Sequence, residues 1–275
     1  MTGFIALIGL LTVQQQPSTT RPGWPCVGKP DPSMVSVSEA SGGQVFLLDR
    51  SELASSATLL TARDGLEEVL RRIVGEFEPG VHSADVAVDR SVERVLFSLS
   101  LQCLQEVDVV RPSGAVVAAS DPDVTWTAFH AGRQIGVQSP EAGTWTVRLA
   151  GKGLMFLVVH ARASLVLEGT RLVREGGRPG HEGLFEDPAP LESGTPRLME
   201  IRVSKGLIGP AFEMRTSEDR VLGALNPSSH VVDDDEQVFL VDFVVPSRPF
   251  RVVVTGHDRT GKTVQRAQGS LYLLK

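Results

Sequence analysis

Arg94-Val95-Leu96-Phe97-Ser98-Leu99-Ser100-Leu101-Gln102-Cys103 is the stretch that decides the fold class. Val95, Phe97, Leu99, Leu101 and Cys103 alternate with Arg94, Ser98, Ser100 and Gln102, and only Leu96 interrupts the period of two. Successive side chains of an extended chain point to opposite faces, so this is a strand with one buried face. The pattern continues outward. Val107 and Val109 alternate with Glu106 and Asp108 before Pro112-Ser113-Gly114 turns the chain. Trp145, Val147 and Leu149 alternate with Thr144, Thr146 and Arg148; 154–159 is continuously apolar, as in a strand covered on both faces. Such strands, separated by Gly, Pro, Ser and Asp, predict a β-sandwich over 84–167.

Upstream, the period reads as 3.6. Leu66, Val69, Leu70 and Ile73 fall at i, i+3, i+4 and i+7, Glu67–Arg71 and Glu68–Arg72 are favourable i,i+4 pairs, and Gly75 suits a stop. The spacing predicts a helix there, after a short helix over 34–40 and a short apolar strand over 44–48, so 34–80 reads as α/β. Residues 17–33 hold five prolines, and 1–33 reads as an irregular leader. The apolar run 4–13 has the length of a signal-peptide core, but no Lys or Arg precedes it and no small-x-small site follows. Downstream, 168–196 is rich in Gly, Pro and Glu and reads as a linker or long loop. Met199, Ile201 and Val203 then form an inward row, as do Phe239, Val241, Phe243 and Val245. With closing strands over 250–255 and 270–274, a second sandwich is predicted over 197–275.

Composition bounds the function. The chain has 275 residues, and 41% hydrophobic content is enough for a real core. A net charge of −6 argues against a general nucleic-acid binder. Two cysteines cannot build a disulfide-dense scaffold or a four-thiolate zinc site. No apolar run reaches the ~18–20 residues of a membrane span.

The sharpest motif is Gly256-His257-Asp258-Arg259-Thr260-Gly261-Lys262-Thr263, which satisfies the phosphate-loop pattern letter for letter. That chemistry needs backbone N–H groups at a helix N-terminus, Lys262 on the terminal phosphates and Thr263 on magnesium. Only 12 residues follow Thr263, too few for a crossover helix and return strand of a ~30-residue βαβ unit. The better reading is a hairpin turning at Asp258 to Lys262, with no nucleotide. Asp233-Asp234-Asp235-Glu236 matches no spaced calcium loop and reads as a solvated turn. His82, His130, His160, His181, His230 and His257 lie far apart without zinc-ligand spacing. No serine sits in a nucleophile elbow. Cys103 closes an inward row, so it reads as a buried inert thiol, with a Cys26–Cys103 bridge as the other reading. Trp126 and Trp145 read as core aromatics rather than sugar platforms. No catalytic, cofactor or metal-ligating residue is assigned.

Four stretches resemble a known family. Ala40-Ser41-Gly42-Gly43-Gln44-Val45-Phe46-Leu47-Leu48-Asp49, with the amphipathic helix expected after it, is similar to the closing strand and helix of a von Willebrand factor A domain. Pro112-Ser113-Gly114, Pro140-Glu141-Ala142-Gly143-Thr144-Trp145-Thr146-Val147 and Pro249-Phe250-Arg251-Val252-Val253-Val254-Thr255-Gly256-His257-Asp258 resemble the region after that domain in hemicentins and von Willebrand factor A domain-containing protein 7. The likeness spans roughly 36–275. It implies an extracellular, matrix-associated or adhesive protein that binds other proteins. The A domain's metal site needs Asp-x-Ser-x-Ser, and both Asp49-Arg50-Ser51-Glu52-Leu53 and Asp89-Arg90-Ser91-Val92-Glu93 fail at the last position. The resemblance therefore implies a C-terminal piece of such a protein without the metal ligands.

The expected protein is mainly β: an A-domain remnant over 34–80 followed by two Ig-like sandwiches. Its expected role is non-enzymatic, extracellular and adhesive, through protein partners. The rivals are a carbohydrate-binding module using Trp126 or Trp145, and a nucleotide-binding protein using 256–263.

Overall fold

The computed structural model describes residues 26–232 and 236–275. The expectation of a signal-like run at 4–13 and most of the proposed leader therefore lie outside the described residues, as do the first three acids of the 233–236 run. No helix among the described residues is long and apolar enough to cross a membrane.

The chain is mainly β, with three antiparallel sheets. The first sheet comprises β1 (Glu68–Val88), β2 (Val92–Val110), β3 (Val124–Phe129), β4 (Gly132–Gln138) and β5 (Gly143–Ala163), in the order β1-β5-β2-β4-β3. β1, β2 and β5 run 21, 19 and 21 residues, far beyond the usual ~5–6. They bend at bulges between Phe77 and Gly80 on β1 and at Leu101/Cys103 and Leu104/Glu106 on β2. Gly153 serves the same waist on β5, at φ +92 where a side chain would be strained. The sheet doubles over there. Phe97, beside Val159 in the ladder, meets the ring of Trp145, which lies beside Val86 at the other end of β5, at 5.6 Å. The inward row Val95, Phe97, Leu99 and Leu101 is fully buried between the two halves, together with Val147, Leu149, Leu157 and Val159.

The second unit has two facing sheets. One contains β6 (Leu167–Gly176), β7 (Gly183–Glu186), β8 (Pro196–Ser204), β11 (Pro227–Val232) and β12 (Glu236–Val244), in the order β11-β12-β8-β6-β7. The other contains β9 (Ile208–Arg215), β10 (Val221–Leu225), β13 (Arg251–His257) and β14 (Thr263–Ala267), in the order β10-β9-β13-β14. Met199, Ile201, Val203, Phe239, Val241 and Phe243 meet Phe212, Val252 and Val254 from the opposite sheet. These are the inward rows read from the period of two. The stretch expected as linker or long loop is otherwise: β6 pairs with β8 from Leu167↔Val203 to Val173↔Leu198. Its apolar residues are few because most of β6 is half-exposed, which hid the strand. The predicted closing strand at 270–274 reduces to one bridge, Phe250↔Tyr272.

The largest correction concerns the predicted helix. Residues 68–88 form one strand that runs straight through Pro79-Gly80 and pairs with β5 from Glu68↔Ala161 to Val88↔Gly143. Leu70 and Ile73 enter the inner core, whereas Val69 packs against Val158, Val253 and Ala267, and Val74 against Val45, Leu47 and Phe156. A strand apolar on both faces with a bulge after Val69 imitates the helical spacing. The strand expected at 44–48 is irregular chain, although Val45 and Leu47 are buried. The first helix does form: α1 (Pro32–Ser41) is capped by Asp31 accepting from the Ser33 amide at 2.8 Å, and ends at Gly42 with φ +70. A 3₁₀ turn at Arg50–Ser55 and the short α2 (Ser56–Thr61) follow. Together, 26–66 forms a strap across the outer face of the first sheet, between it and solvent.

Candidate functional site

A set of buried ionisable side chains gathers where α1, β1 and the second unit meet. Glu39, on α1, is buried. Its Oε1 accepts from Arg72 Nε and Nη2 at 2.8 and 2.6 Å, and its Oε2 accepts from Arg251 Nη2 at 2.6 Å. Arg72 lies on β1 and Arg251 on β13, so one carboxylate from the strap ties both units. Arg72 also donates to Ser38 O and Oγ, and Arg251 to the carbonyls of Gly269 and Gln268. Burial pulls the Arg251 pKa down to about 10, although Glu39 opposes it. Two guanidinium groups on one buried carboxylate leave a net positive charge, answered by backbone carbonyls.

A second buried pair lies alongside. Asp89 and Arg266 are buried, with Arg266 Nη1 at 2.8 Å from Asp89 Oδ2. Arg266 also donates through Nε to the Leu165 carbonyl at 2.8 Å. Asp219, in the β9–β10 turn, bonds Arg71 of β1 and Arg215. Backbone groups join too: the Val74 amide donates to Ser217 O at 2.7 Å, and Gln265 Nε2 donates to Leu70 O at 3.0 Å.

The outer face of the first sheet carries a polar row that the strap covers: Ser98, Ser100, Gln134 and His160 are all buried. Gln134 Nε2 donates to Leu59 O at 2.9 Å, and the Leu47 amide to Ser100 Oγ at 3.4 Å. His160 is fully buried, and neither ring nitrogen reaches hydrogen-bonding geometry with a partner. Burial, then the charges of Arg63 and Arg72, hold its pKa well below the ordinary histidine value.

The phosphate-loop pattern is a hairpin. β13 pairs with β14 from Val253↔Ala267 to His257↔Thr263, and the Asp258 amide donates to Lys262 O at 2.9 Å. Asp258 Oδ1 accepts from the Thr260 and Lys262 amides at 2.8 and 3.0 Å. The chain's own carboxylate thus occupies the amides that a phosphate would need. Burial opposes the Asp258 charge, but bonds from Thr260 and Lys262 outweigh it and lower its pKa.

Asp49-Arg50-Ser51 and Asp89-Arg90-Ser91 behave in the same way. Asp49 accepts from the Ser51 amide at 3.0 Å while Glu52 accepts from the Asp49 amide at 2.8 Å, a capping box; Asp89 accepts from the Ser91 amide at 2.9 Å. Asp-Arg-Ser or Asp-Arg-Thr therefore marks a side-chain-capped turn three times. That recurrence was the available signal for Asp89.

Cys26 and Cys103 are disulfide-bonded, which replaces the free buried thiol. The inward row stops at Leu101, because the Leu101/Cys103 bulge turns the cysteine toward the strap, where the Val27 amide donates to Gln102 O at 2.9 Å. Trp145 is fully buried and its Nε1 donates to Glu141 O at 2.8 Å, so it offers no sugar platform. Trp126 packs half-buried against the same core. His230 stacks on Phe239 at 4.2 Å, and His82, His130, His181 and His257 lie apart on the surface or partly exposed. Among the described residues no three side chains of metal-ligating type converge.

No family model and no curated protein matches the chain. Among solved structures, a lipase of Bacillus licheniformis, BlEst2 in its propeptide form, is similar at 14% identity over 70% of this chain and 43% of its own length. Its TM-score of 0.28 carries no argument about fold or activity.

Proposed function

We propose that the chain is a non-enzymatic structural or adhesive protein of the extracellular space that acts through protein–protein contacts, in the manner of the β-rich region after a hemicentin A domain. One observation carries this reading: the junction's ionisable groups are bonded to each other. Glu39, Arg72, Arg251, Asp89 and Arg266 are buried in mutual pairs, so their chemistry holds two β units in one orientation. A fixed pair of units suits presentation of surfaces to a partner, since domains without such a junction move relative to one another by default. The Cys26–Cys103 disulfide is compatible with an oxidising compartment. β11 supplies a surface of the right kind: among the described residues it lies at the edge of its sheet, paired on one side with β12, and all six of its residues are exposed.

The test is a binding panel on the full chain: purified extracellular-matrix proteins, a glycan array, and Mg-ATP and Mg-GTP by calorimetry. Saturable binding to a matrix protein supports the proposal. Binding confined to glycans transfers the function to the carbohydrate reading, and nucleotide binding lost in Lys262→Ala overturns it.

A further inference from the structure

A cleft of about 670 Å³ opens beside the junction, walled by the 62–69 turn, the Gly42-Gly43 end of α1 and the Gln268-Gly269-Ser270 segment. That volume lies within the usual ~300–1,000 Å³ of small-molecule sites. Arg63 lines it, and its guanidinium makes no hydrogen bond or ion pair among the described residues. Arg63 is held in place. Leu66 is buried and its amide donates to Arg63 O at 3.0 Å, while Gly65 takes φ +68 and receives Arg162 Nε on its carbonyl at 3.1 Å. The forces acting on the Arg63 charge are burial and the neighbouring Arg72, both of which disfavour it, and no carboxylate offsets them. Every other arginine at the junction has its acceptor; this one faces open space.

We propose that the cleft binds a small carboxylate through the fork of Arg63. Guanidinium and carboxylate pair in a planar, bidentate fashion. The rest of the wall selects the kind of carboxylate. Asp64 and Glu67 are exposed at the same opening, Glu68 lines it half-buried with its Oε2 accepting from the Leu167 amide at 3.1 Å, and Ser41 and Ser270 add hydroxyl groups. A multiply charged anion meets these acids unfavourably, whereas a monocarboxylate bearing ammonium or hydroxyl donors can pair with Arg63 and Glu67 together. Gly43, Gly169 and Gly269 leave part of the wall as bare backbone, so hydrogen bonds to main-chain groups are accessible.

The experiment titrates the full chain with L-alanine, D-glucuronate, acetate and inorganic phosphate, by calorimetry at constant ionic strength. The expected result is saturable binding of L-alanine or D-glucuronate that weakens at least about tenfold in Arg63→Gln, with partial retention in Arg63→Lys. Glu67→Gln is expected to weaken the donor-bearing ligand while leaving acetate unchanged. Circular dichroism melts of each variant separate loss of binding from loss of fold. No saturable heat up to about 10 mM ligand, binding unaffected by Arg63→Gln in a folded variant, or preference for phosphate would each overturn the assignment.

Discussion

β1 takes part in two regions built on opposite principles. Toward the doubled sheet it presents Leu70 and Ile73 to a core of apolar side chains around Phe97 and Trp145. On its other side it presents Arg72 to a junction where a single carboxylate, Glu39, is shared between two units. Apolar burial is non-directional, so the inner core tolerates changes that conserve volume. The junction has no such tolerance. Removing one member of a buried ionic set leaves the others charged and unpaired, while the intact set contributes little net stability over an apolar replacement. The difference teaches that the core stabilises each unit, whereas the junction determines how the two are arranged.

The largest expected effect would break the comparison at its shared element. A chain truncated to 84–275 loses the greater part of β1, Glu68 to Ser83, which pairs with β5 from Ala161 to Arg148, together with Leu70 and Ile73 from the core. It is expected to show no cooperative calorimetric melt for the first unit, and a chain beginning at Leu66 is expected to restore it, since the inner core draws on β1 to β5 and not on the strap. A cooperative melt of the first unit in 84–275 would show that β1 does not belong to both regions.

Glu39→Ala comes next, with an expected loss of about 3–5 kcal/mol in urea unfolding. Replacing Glu39, Arg72 and Arg251 together by apolar residues of similar volume is expected to recover most of it. Leu99→Ala in the core costs a comparable ~2–5 kcal/mol through the cavity it leaves, and no second apolar deletion rescues it. A loss below about 1 kcal/mol for Glu39→Ala would remove the distinction between the two regions.

The pH dependence is smaller. His160 is held neutral in the folded state with its pKa below 6.5, while the unfolded chain titrates near 6.5. Below 6.5 the unfolded state therefore binds the extra proton, and stability falls as pH falls, by up to about 1.4 kcal/mol per unit until the folded-state pKa is reached. Above 6.5 this contribution is constant. The slope between pH 6.5 and 5.5 is expected to flatten in His160→Gln, as read from chemical denaturation at half-unit intervals. An unchanged slope would show that the polar row under the strap is not closed to water. Lys262→Ala is the smallest: the side chain is exposed on a turn held by Asp258, so stability should stay within about 0.5 kcal/mol. Asp258→Ala, which frees the turn amides, is expected to cost more in the same melt.

Much of the fold was legible because it depends on local alternation. The rows Val95–Leu101, Met199–Val203 and Phe239–Val245 each bury one face, and a period of two survives wherever the opposite face meets water or polar groups. β1 was illegible for the converse reason: over Glu68–Val74 both of its faces are largely buried, so its apolar residues there have no strict alternation and fit a helical spacing equally well. β6 was hidden by its half-exposed side chains. Of the candidate sites, the hairpin at 256–263 could be read from the poor amphipathic pattern of 264–269, which offers no helix after the loop. The ionic junction could not, since Glu39 and Arg251 are 212 residues apart and nothing local marks either as buried.

The sequence by itself determined that this is a β protein with a real core, where its one-sided strands lie, and that Gly256–Thr263 joins two strands. Period suffices for those statements because it is local. Only the tertiary structure decided the rest: that β1 is a strand, that Cys103 faces Cys26, and that one buried glutamate joins two arginines from different units. Each of these depends on what packs against a residue from far along the chain, and burial of charge or of both strand faces leaves no periodic trace in the sequence.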